Sequence, residues 1–155
     1  MGIVTFYRGD PEHTPKTTQR ARLGANAIIT YNGKILLEKR RDCDIWGLVG
    51  GGVKKYETEA QAMAREVYEE LGIRIPKEQF QKLKVYGEPG RIAAYQDGSI
   101  WRMVIVVFGL DLEEEPQMVI SSESKDLRFF SREELKDIEI VVTHSDIVEE
   151  LFLNI

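Results

Sequence analysis

Residues 58–72 constrain the fold most, because both ends of a helix are written into them. Thr58 is a residue type that caps a first turn through its hydroxyl, and Gln61, three positions on, can return the bond as a capping-box partner. Gly72 stands where a left-handed C-terminal residue is wanted, and Pro76 blocks continuation. At about 100° per residue, Ala60, Met63, Ala64, Val67 and Leu71 share one stripe, which is expected to face a core. Glu66, Glu69 and Glu70 fall within one arc of roughly 100° beside that stripe, and Glu59 lies in the same arc.

The rest of the chain reads as strands placed around this helix. Ile3–Tyr7 suits a short strand, and the polar stretch Gly9–Thr18 a loop. Arg22–Thr30 and Lys34–Lys39 flank Tyr31-Asn32-Gly33, a hairpin signal. Trp46–Val49 and three glycines then lead into the helix, predicted over Glu59–Leu71. A second hairpin is expected to join Lys82–Tyr95 to Ile100–Leu110 through Gln96-Asp97-Gly98-Ser99. Leu127–Phe130 suits a short strand, and Ser131 with Glu134 marks a helix start over Ser131–Leu135. Ile147, Val148, Leu151 and Phe152 recur at helical spacing in the tail, Ser145–Leu153. The expected fold class is α/β (α+β), a mixed β-sheet with about two substantial helices.

A chain of 155 residues can bury a sizeable core, so residues 1–155 are read as a single domain. Its 43% apolar and 30% charged residues are those of a globular protein. The net charge of −5 argues against a broad nucleic-acid-binding face, but not against a small phosphorylated ligand. Cys43 is the only cysteine, which excludes an internal disulfide and a thiolate metal cluster and fits a reducing cytoplasm. No secretion signal opens the chain, and apolar runs such as Met103–Phe108 are too short to cross a bilayer. The expected setting is cytoplasmic, with no membrane and no nucleic-acid polymer as partner. The sequence leaves monomer and homodimer open.

Crowded carboxylates at i,i+4 repel by a few tenths of a kcal/mol even when exposed. A hard divalent cation relieves this, and Mg²⁺ takes one or two carboxylates together with water and substrate phosphates. A glutamate-rich helix face alone is usually just solvated, so the context decides. From Gly51 the chain gives five residues, Glu57, seven residues, Arg65-Glu66, Val67, one residue, Glu69-Glu70, one residue, Gly72 and Ile73. Seven fixed residue types and two aliphatic positions occur together by chance at roughly 10⁻⁹ per starting point on average usage. The pattern matches in full the box of the Nudix hydrolase family (MutT-like), G-x5-E-x7-R-E-U-x-E-E-x-G-U, over Gly51–Ile73. A looser resemblance extends from about Arg22 to Leu135.

That resemblance implies a Nudix-type α/β/α sandwich and a pyrophosphohydrolase requiring Mg²⁺ or Mn²⁺. It implies that Glu66, Glu69 and Glu70 ligate or position the metal, with the carbonyl of Gly50 as a further ligand. Glu57 and Arg65 resemble the pair that braces the site, with Arg65 orienting carboxylates. Water would attack a phosphorus of a diphosphate, with Glu69 or Glu70 as base and Glu123 as the alternative. Glu123 lies in Ser121–Phe130, similar to the family segment whose acidic residue is a metal ligand or base in some relatives. Lys39 and Arg40 end their strand where relatives place a phosphate-binding cation. The chain departs from the common pattern at Val49 and Tyr56, where relatives often carry proline and glycine.

The implied substrate is a small nucleotide, a nucleoside diphosphate linked to another group. The length resembles the small MutT-like enzymes that cut nucleoside triphosphates to monophosphate and pyrophosphate. ADP-ribose or another nucleotide sugar is the alternative. Pro89, sixteen residues after Ile73, has the spacing seen in ADP-ribose pyrophosphatases, but Gly87-Glu88-Pro89-Gly90 already reads as a turn. A catalytically inactive nucleotide-binding regulator is a further alternative, disfavoured by the intact set Glu57, Arg65, Glu66, Glu69 and Glu70. Tyr86, Tyr95, Trp101 and Phe108 include candidates for stacking on a base, although strand aromatics are more often core. His13 and His144 show no metal-ligand spacing, and Cys43 has no electropositive neighbour that would make it a nucleophile.

Overall fold

A computed structural model describes residues 3–154. In chain order the regular elements are β1 (Val4–Arg8), β2 (Arg22–Tyr31), β3 (Lys34–Arg40), β4 (Trp46–Gly47), β5 (Val49–Gly52), α1 (Glu59–Leu71), β6 (Gln81–Tyr86), β7 (Arg91–Tyr95), β8 (Ile100–Leu112), β9 (Ser124–Phe130) and α2 (Val142–Val148). The helix α1 has the expected bounds. Thr58 and Gln61 exchange both capping-box bonds, and Gly72 closes the helix in the left-handed conformation at φ 73°.

Two alternating sets of side chains make this a three-layer fold. On β2, β3 and β8, Ala25, Ala27, Ile29, Leu36, Val106, Phe108 and Leu110 face one side and pack with Met63, Val67 and Leu71 of α1. Their neighbours Ile28, Ile35, Leu37, Ile105 and Val107 face the other side and pack with Ile147, Val148 and Phe152 from the C-terminal helical segment. Period-two alternation with both faces apolar requires a cover on each side, and the two helices supply it.

The sheet is mixed. β2 and β8 run parallel over ten paired positions, from Arg22–Met103 to Tyr31–Leu112. β2 and β3 pair only at the hairpin end, at Thr30–Ile35 and Tyr31–Lys34. They then diverge, and β5 takes the place beside β2, antiparallel from Ala27–Val49 to Gly24–Gly52. The glycine run is thereby held in the middle of the sheet rather than in a free loop. β9 closes the other edge of β3.

The predicted strand Lys82–Tyr95 is in fact two. β6 pairs with the later part of β8, whereas β7 pairs with its start and with β1 in a small second sheet. The turn at Pro89-Gly90 makes the break. Gly9 donates to the Gly90 carbonyl at 3.1 Å, and a Cβ on Gly90 would stand 1.6 Å from the Gly9 carbonyl oxygen. Only glycine allows this crossing. The Ser131–Glu134 capping box forms, but it opens only a short 3₁₀ turn, Glu134–Asp137. The tail helix begins earlier than predicted, at Val142, and widens to a π-helical turn over Glu149–Leu153. On α1, Ala62 is fully buried although it lies off the predicted stripe, while Ala60 and Ala64 are only partly covered. Among the described residues no helix is long and apolar enough to cross a membrane.

Candidate active site

The site is built on the β5 backbone. Gly50 has φ 149°, and a Cβ there would lie 2.1 Å from the Ala25 carbonyl oxygen, so glycine alone fits. The buried Asn26, paired opposite Gly50, donates from Nδ2 to the Leu48 carbonyl at 3.2 Å and fixes the approach to this strand. At Gly51 a Cβ would stand 2.6 Å from the Glu66 carboxylate. The absence of side chains in β5 therefore lets a carboxylate of α1 rest directly on the strand.

Arg65 organises the open side. Its Nε donates to Glu57 Oε2 at 3.0 Å, and Nη2 donates to Glu57 Oε1 at 2.6 Å and to the Gly52 carbonyl at 2.9 Å. Nη1 donates to Glu66 Oε1 at 2.9 Å and Glu69 Oε2 at 3.1 Å. Glu57 also accepts from the Lys54 amide at 2.7 Å, which closes the loop before α1. The Arg65 hydrogen bonds hold the Glu57 carboxyl down at about 2. Burial raises Glu66 instead, with Arg65 pulling the other way.

Glu70 lies deeper, and its Oε2 is buried without a hydrogen-bond partner. Beside it is Glu38 of β3, also buried, whose Oε2 accepts from the Ser124 hydroxyl at 2.7 Å. Burial first, then the hydrogen bond and charge of Glu38 and the charge of Glu66, push the Glu70 carboxyl up to about 12. Glu57, in the loop before α1, is thus held ionised, while Glu70, in the last turn of α1, is held protonated. A cleft of about 360 Å³ opens here, lined by Gly50–Gly52, Glu38, Glu66, Glu70, Arg40 and Glu123 together with Phe6, Arg22 and Tyr95. A shallower groove adjoins it, sharing Arg22, Gly52, Glu66 and Glu123 and adding Lys54, Arg65, Glu69 and Trp101.

The NUDIX domain family model matches residues 20–151, a span that includes β2 to β9, both helices and every site residue above except Phe6. The chain belongs to the Nudix hydrolase family. It is 29% identical over 121 residues to nucleoside triphosphatase NudI of Enterobacter sp. (strain 638), covering 73% of this chain and 84% of that one. It is 31% identical over 72 residues to a MutT-like protein of Streptomyces ambofaciens, which spans 46% of this chain and about half, 47%, of that relative. Among solved structures, the MutT NUDIX hydrolase of Burkholderia pseudomallei superposes with a TM-score of 0.68 at 27% identity, over 86% of this chain and 98% of that one. The bifunctional NMN adenylyltransferase/ADP ribose pyrophosphatase of Francisella tularensis, solved with AMP and a Mn ion, gives 0.67 at 24%, over 91% and 43%.

The structure distributes the residues singled out in the sequence between the two depressions. Gly50, Glu66 and Glu70 line the cleft, Glu69 and Arg65 line the groove, and Glu57 stands behind Arg65. Glu123, exposed at the start of β9, faces both depressions, and its carbonyl accepts from the Arg41 amide at 3.3 Å. Arg40 lines the cleft, but its Nε and Nη2 are committed to Asp42 at 2.8 and 2.6 Å. Lys39, one step along β3, is not among the lining residues, and its Nζ lies 3.9 Å from Asp44. Tyr95 and Trp101 reach the site, whereas Tyr86 and Phe108 are buried in the body. Tyr56 is 92% exposed and lines neither depression, so this departure from the common pattern leaves the entrance alone.

Two residues lining the cleft carried no signal in the sequence. Glu38 sits in an apolar strand, and only the pairing of β3 beside β9 sets it against Glu70. His144 is buried and lines the cleft, and its Nδ1 accepts from the Leu48 amide at 3.0 Å. Burial, helped by the positive charges of Arg40 and Arg91, lowers it to about 3 and keeps it neutral. His13 is exposed beside Asp10.

The donor set fits a hard divalent cation. The unpartnered Glu70 Oε2, the Glu66 carboxylate against the Gly51 backbone and the neighbouring Glu38 carboxylate bring oxygen donors to one cleft. Among the described residues no three Asp, Glu, His or Cys side chains already converge as a closed cage, because Arg65 gathers Glu66 and Glu69. Mg²⁺ does not require such a cage, since it retains waters and takes substrate phosphate oxygens.

Proposed function

We propose that the protein hydrolyses a nucleoside diphosphate linked to another moiety, with a nucleoside triphosphate as substrate and monophosphate and pyrophosphate as products. The observation that carries this reading is the buried Glu70 carboxyl with an unpartnered oxygen, placed beside Glu66 on the box helix under an open cleft. Burying such a group costs free energy unless something binds it, so the site is organised for a ligand. Family membership supports the reaction class, and similarity to a nucleoside triphosphatase supports the substrate class.

Glu66, Glu69, Glu70 and the Gly50 carbonyl would hold Mg²⁺ or Mn²⁺, which when bound supplies Lewis-acid charge neutralisation at the diphosphate. Glu69 would take the proton of the attacking water, or Glu70 once a bound cation had displaced its own proton, with Glu123 as the alternative base. Arg65 keeps Glu66 and Glu69 oriented while Glu57 anchors Arg65 to the Gly52 backbone, a division of labour in which Glu57 never touches substrate. Arg40 has only Nη1 left for phosphate once Asp42 holds its other donors, and Lys39, beside Asp44, lines neither depression.

The test is turnover across a panel of nucleoside triphosphates, ADP-ribose and nucleotide sugars, with Mg²⁺ or Mn²⁺ and with chelator. Metal-dependent release of pyrophosphate and monophosphate from a triphosphate is the expected result. Cleavage of ADP-ribose alone would replace the substrate, and no hydrolysis across the panel would remove the enzyme reading.

A further inference from the structure

The cleft is strongly acidic for a site that takes a polyanion. Its lining carries Glu38, Asp42, Glu66, Glu70 and Glu123 against two arginines, Arg22 and Arg40. Arg40 is neutralised by Asp42 in a bidentate pair. In the adjoining groove, Arg65 is shared among Glu57, Glu66 and Glu69. Among the described cations lining the two depressions, Arg22 and Lys54 have no ion-pair partner, and Arg22 alone lines both.

Arg22 is also held in place. Its guanidinium lies 5.7 Å from the Tyr95 ring centre and 6.0 Å from that of Trp101, and Nη1 donates to the Tyr95 hydroxyl at 3.1 Å. Its head sits over Gly52, where a Cβ would come within 3.7 Å of Nε and Nη2. Two aromatics from the β7–β8 hairpin thus fix an exposed arginine beside the carboxylate cluster without consuming its charge. An arginine stacked in this way has lost its rotamer freedom beforehand, which lowers what binding must spend on ordering it. An uncompensated, oriented fork next to Gly52 matches the geometry of a phosphate, which planar guanidinium binds through paired hydrogen bonds.

We propose that Arg22, seated by Tyr95 and Trp101, is a phosphate-binding residue of this cleft and grips the terminal phosphates of the substrate, so favouring a linear polyphosphate. The assignment rests on the function proposed above for its substrate class, but its test does not depend on turnover. Inorganic pyrophosphate is titrated calorimetrically in the presence of Mg²⁺ into the wild type, Arg22→Gln and Arg22→Lys. The expected loss in Arg22→Gln is about 10- to 100-fold, the range for a charge-assisted hydrogen bond. Arg22→Lys recovers little of it, because a point charge cannot reproduce the fork. Trp101→Leu weakens pyrophosphate less than Arg22→Gln, since it loosens the seat and leaves the charge.

With a nucleoside triphosphate substrate, Arg22→Gln is expected to raise KM more than it lowers kcat, with an unchanged melting temperature. Equal pyrophosphate affinity in Arg22→Gln and wild type would overturn the proposal, as would absence of pyrophosphate binding to the wild type. Arg22-dependent pyrophosphate binding in a protein that hydrolyses nothing would sink the enzymatic reading while leaving this assignment intact. Tighter AMP binding in Arg22→Gln, without loss of pyrophosphate, would mean that Arg22 merely occupies a base-stacking platform and would also overturn it.

Discussion

The molecule contains two buried charge clusters, and they are balanced differently. Around Asp146 of α2, the carboxylates of Asp146 and Glu88 face Arg91 and Arg8. Arg91, only 1% exposed, donates from Nη1 to Asp146 at 3.0 Å and to the Thr143 carbonyl at 2.5 Å, and from Nη2 to Asp146 at 2.6 Å. Burial works against ionising Asp146, but the Arg91 hydrogen bonds and charge outweigh it and hold its carboxyl below the ordinary range. Around α1, by contrast, Glu57, Glu66 and Glu69 share Arg65, while Glu70 lies deeper beside Glu38 and is left protonated. The first cluster is closed on itself and ties α2 to β7 and β1. The second is short of positive charge, and that deficit is what a divalent cation would fill. A balanced buried cluster speaks for architecture, and an unbalanced one speaks for a ligand.

The largest expected effect breaks the balanced cluster. Asp146→Ala leaves Arg91 buried and uncompensated, and should cost about 3–5 kcal/mol in urea unfolding. The remaining folded protein should keep near-normal kcat, and a selective loss of kcat with full stability would contradict the architectural role. Glu70→Gln does the reverse. It replaces a protonated acid by a neutral group of the same shape, so metal-free stability should hold while turnover falls about 100-fold or more. Near-normal turnover in that variant would remove Glu70 from the proposed machinery.

Metal sharpens the same contrast. Mg²⁺ at a hundred times its dissociation constant should stabilise the wild type by about 2.7 kcal/mol, and Glu70→Gln much less, read as thermal shifts with and without chelator. Asp146→Ala should keep the full metal increment on its lowered baseline. Acid titration addresses the link between the clusters, since His144 lies between Arg91 and Arg40. An unfolded histidine takes its proton near pH 6.5, but folded His144 resists until about 3. The His144 contribution to stability is therefore full above pH 6.5 and should fall by up to about 1.4 kcal/mol per pH unit between there and about 3. His144→Asn should flatten that slope, and an unchanged slope would refute the assignment. The smallest effect is Arg65→Lys, which loses the fork that orients Glu66 and Glu69 and should lower kcat/KM about 10-fold with little change in stability.

Much of this architecture was legible in the chain because it depends on neighbours in sequence. The ends of α1, the Asn32-Gly33 hairpin and the box follow from capping chemistry, turn chemistry and fixed spacing, and all three stand in the structure. The helical face, read at 100° per residue, placed Glu66, Glu69 and Glu70 together but made them equivalent. The packing separates them: Glu69 remains half exposed on Arg65, and Glu70 is driven into the protein beside Glu38. No local rule could show that the Lys82–Tyr95 stretch breaks, since the break depends on Gly9 crossing Gly90. The sequence also pointed to Lys39 and Arg40 as phosphate cations, while Arg22 went unmarked.

By itself, then, the sequence determined the family, the helix that bears the carboxylates and the carboxylates proposed as metal ligands, because each is encoded within a continuous span. The tertiary structure decided which carboxyl is buried and protonated, which histidine fastens Leu48, and which arginine in the cleft still has its charge to offer. Those properties are set by burial and by partners far apart in the chain, Glu38 with Glu70, His144 with Leu48 and Arg22 with Tyr95. Electrostatic free energy depends on distance and desolvation in space, and neither is a function of sequence separation.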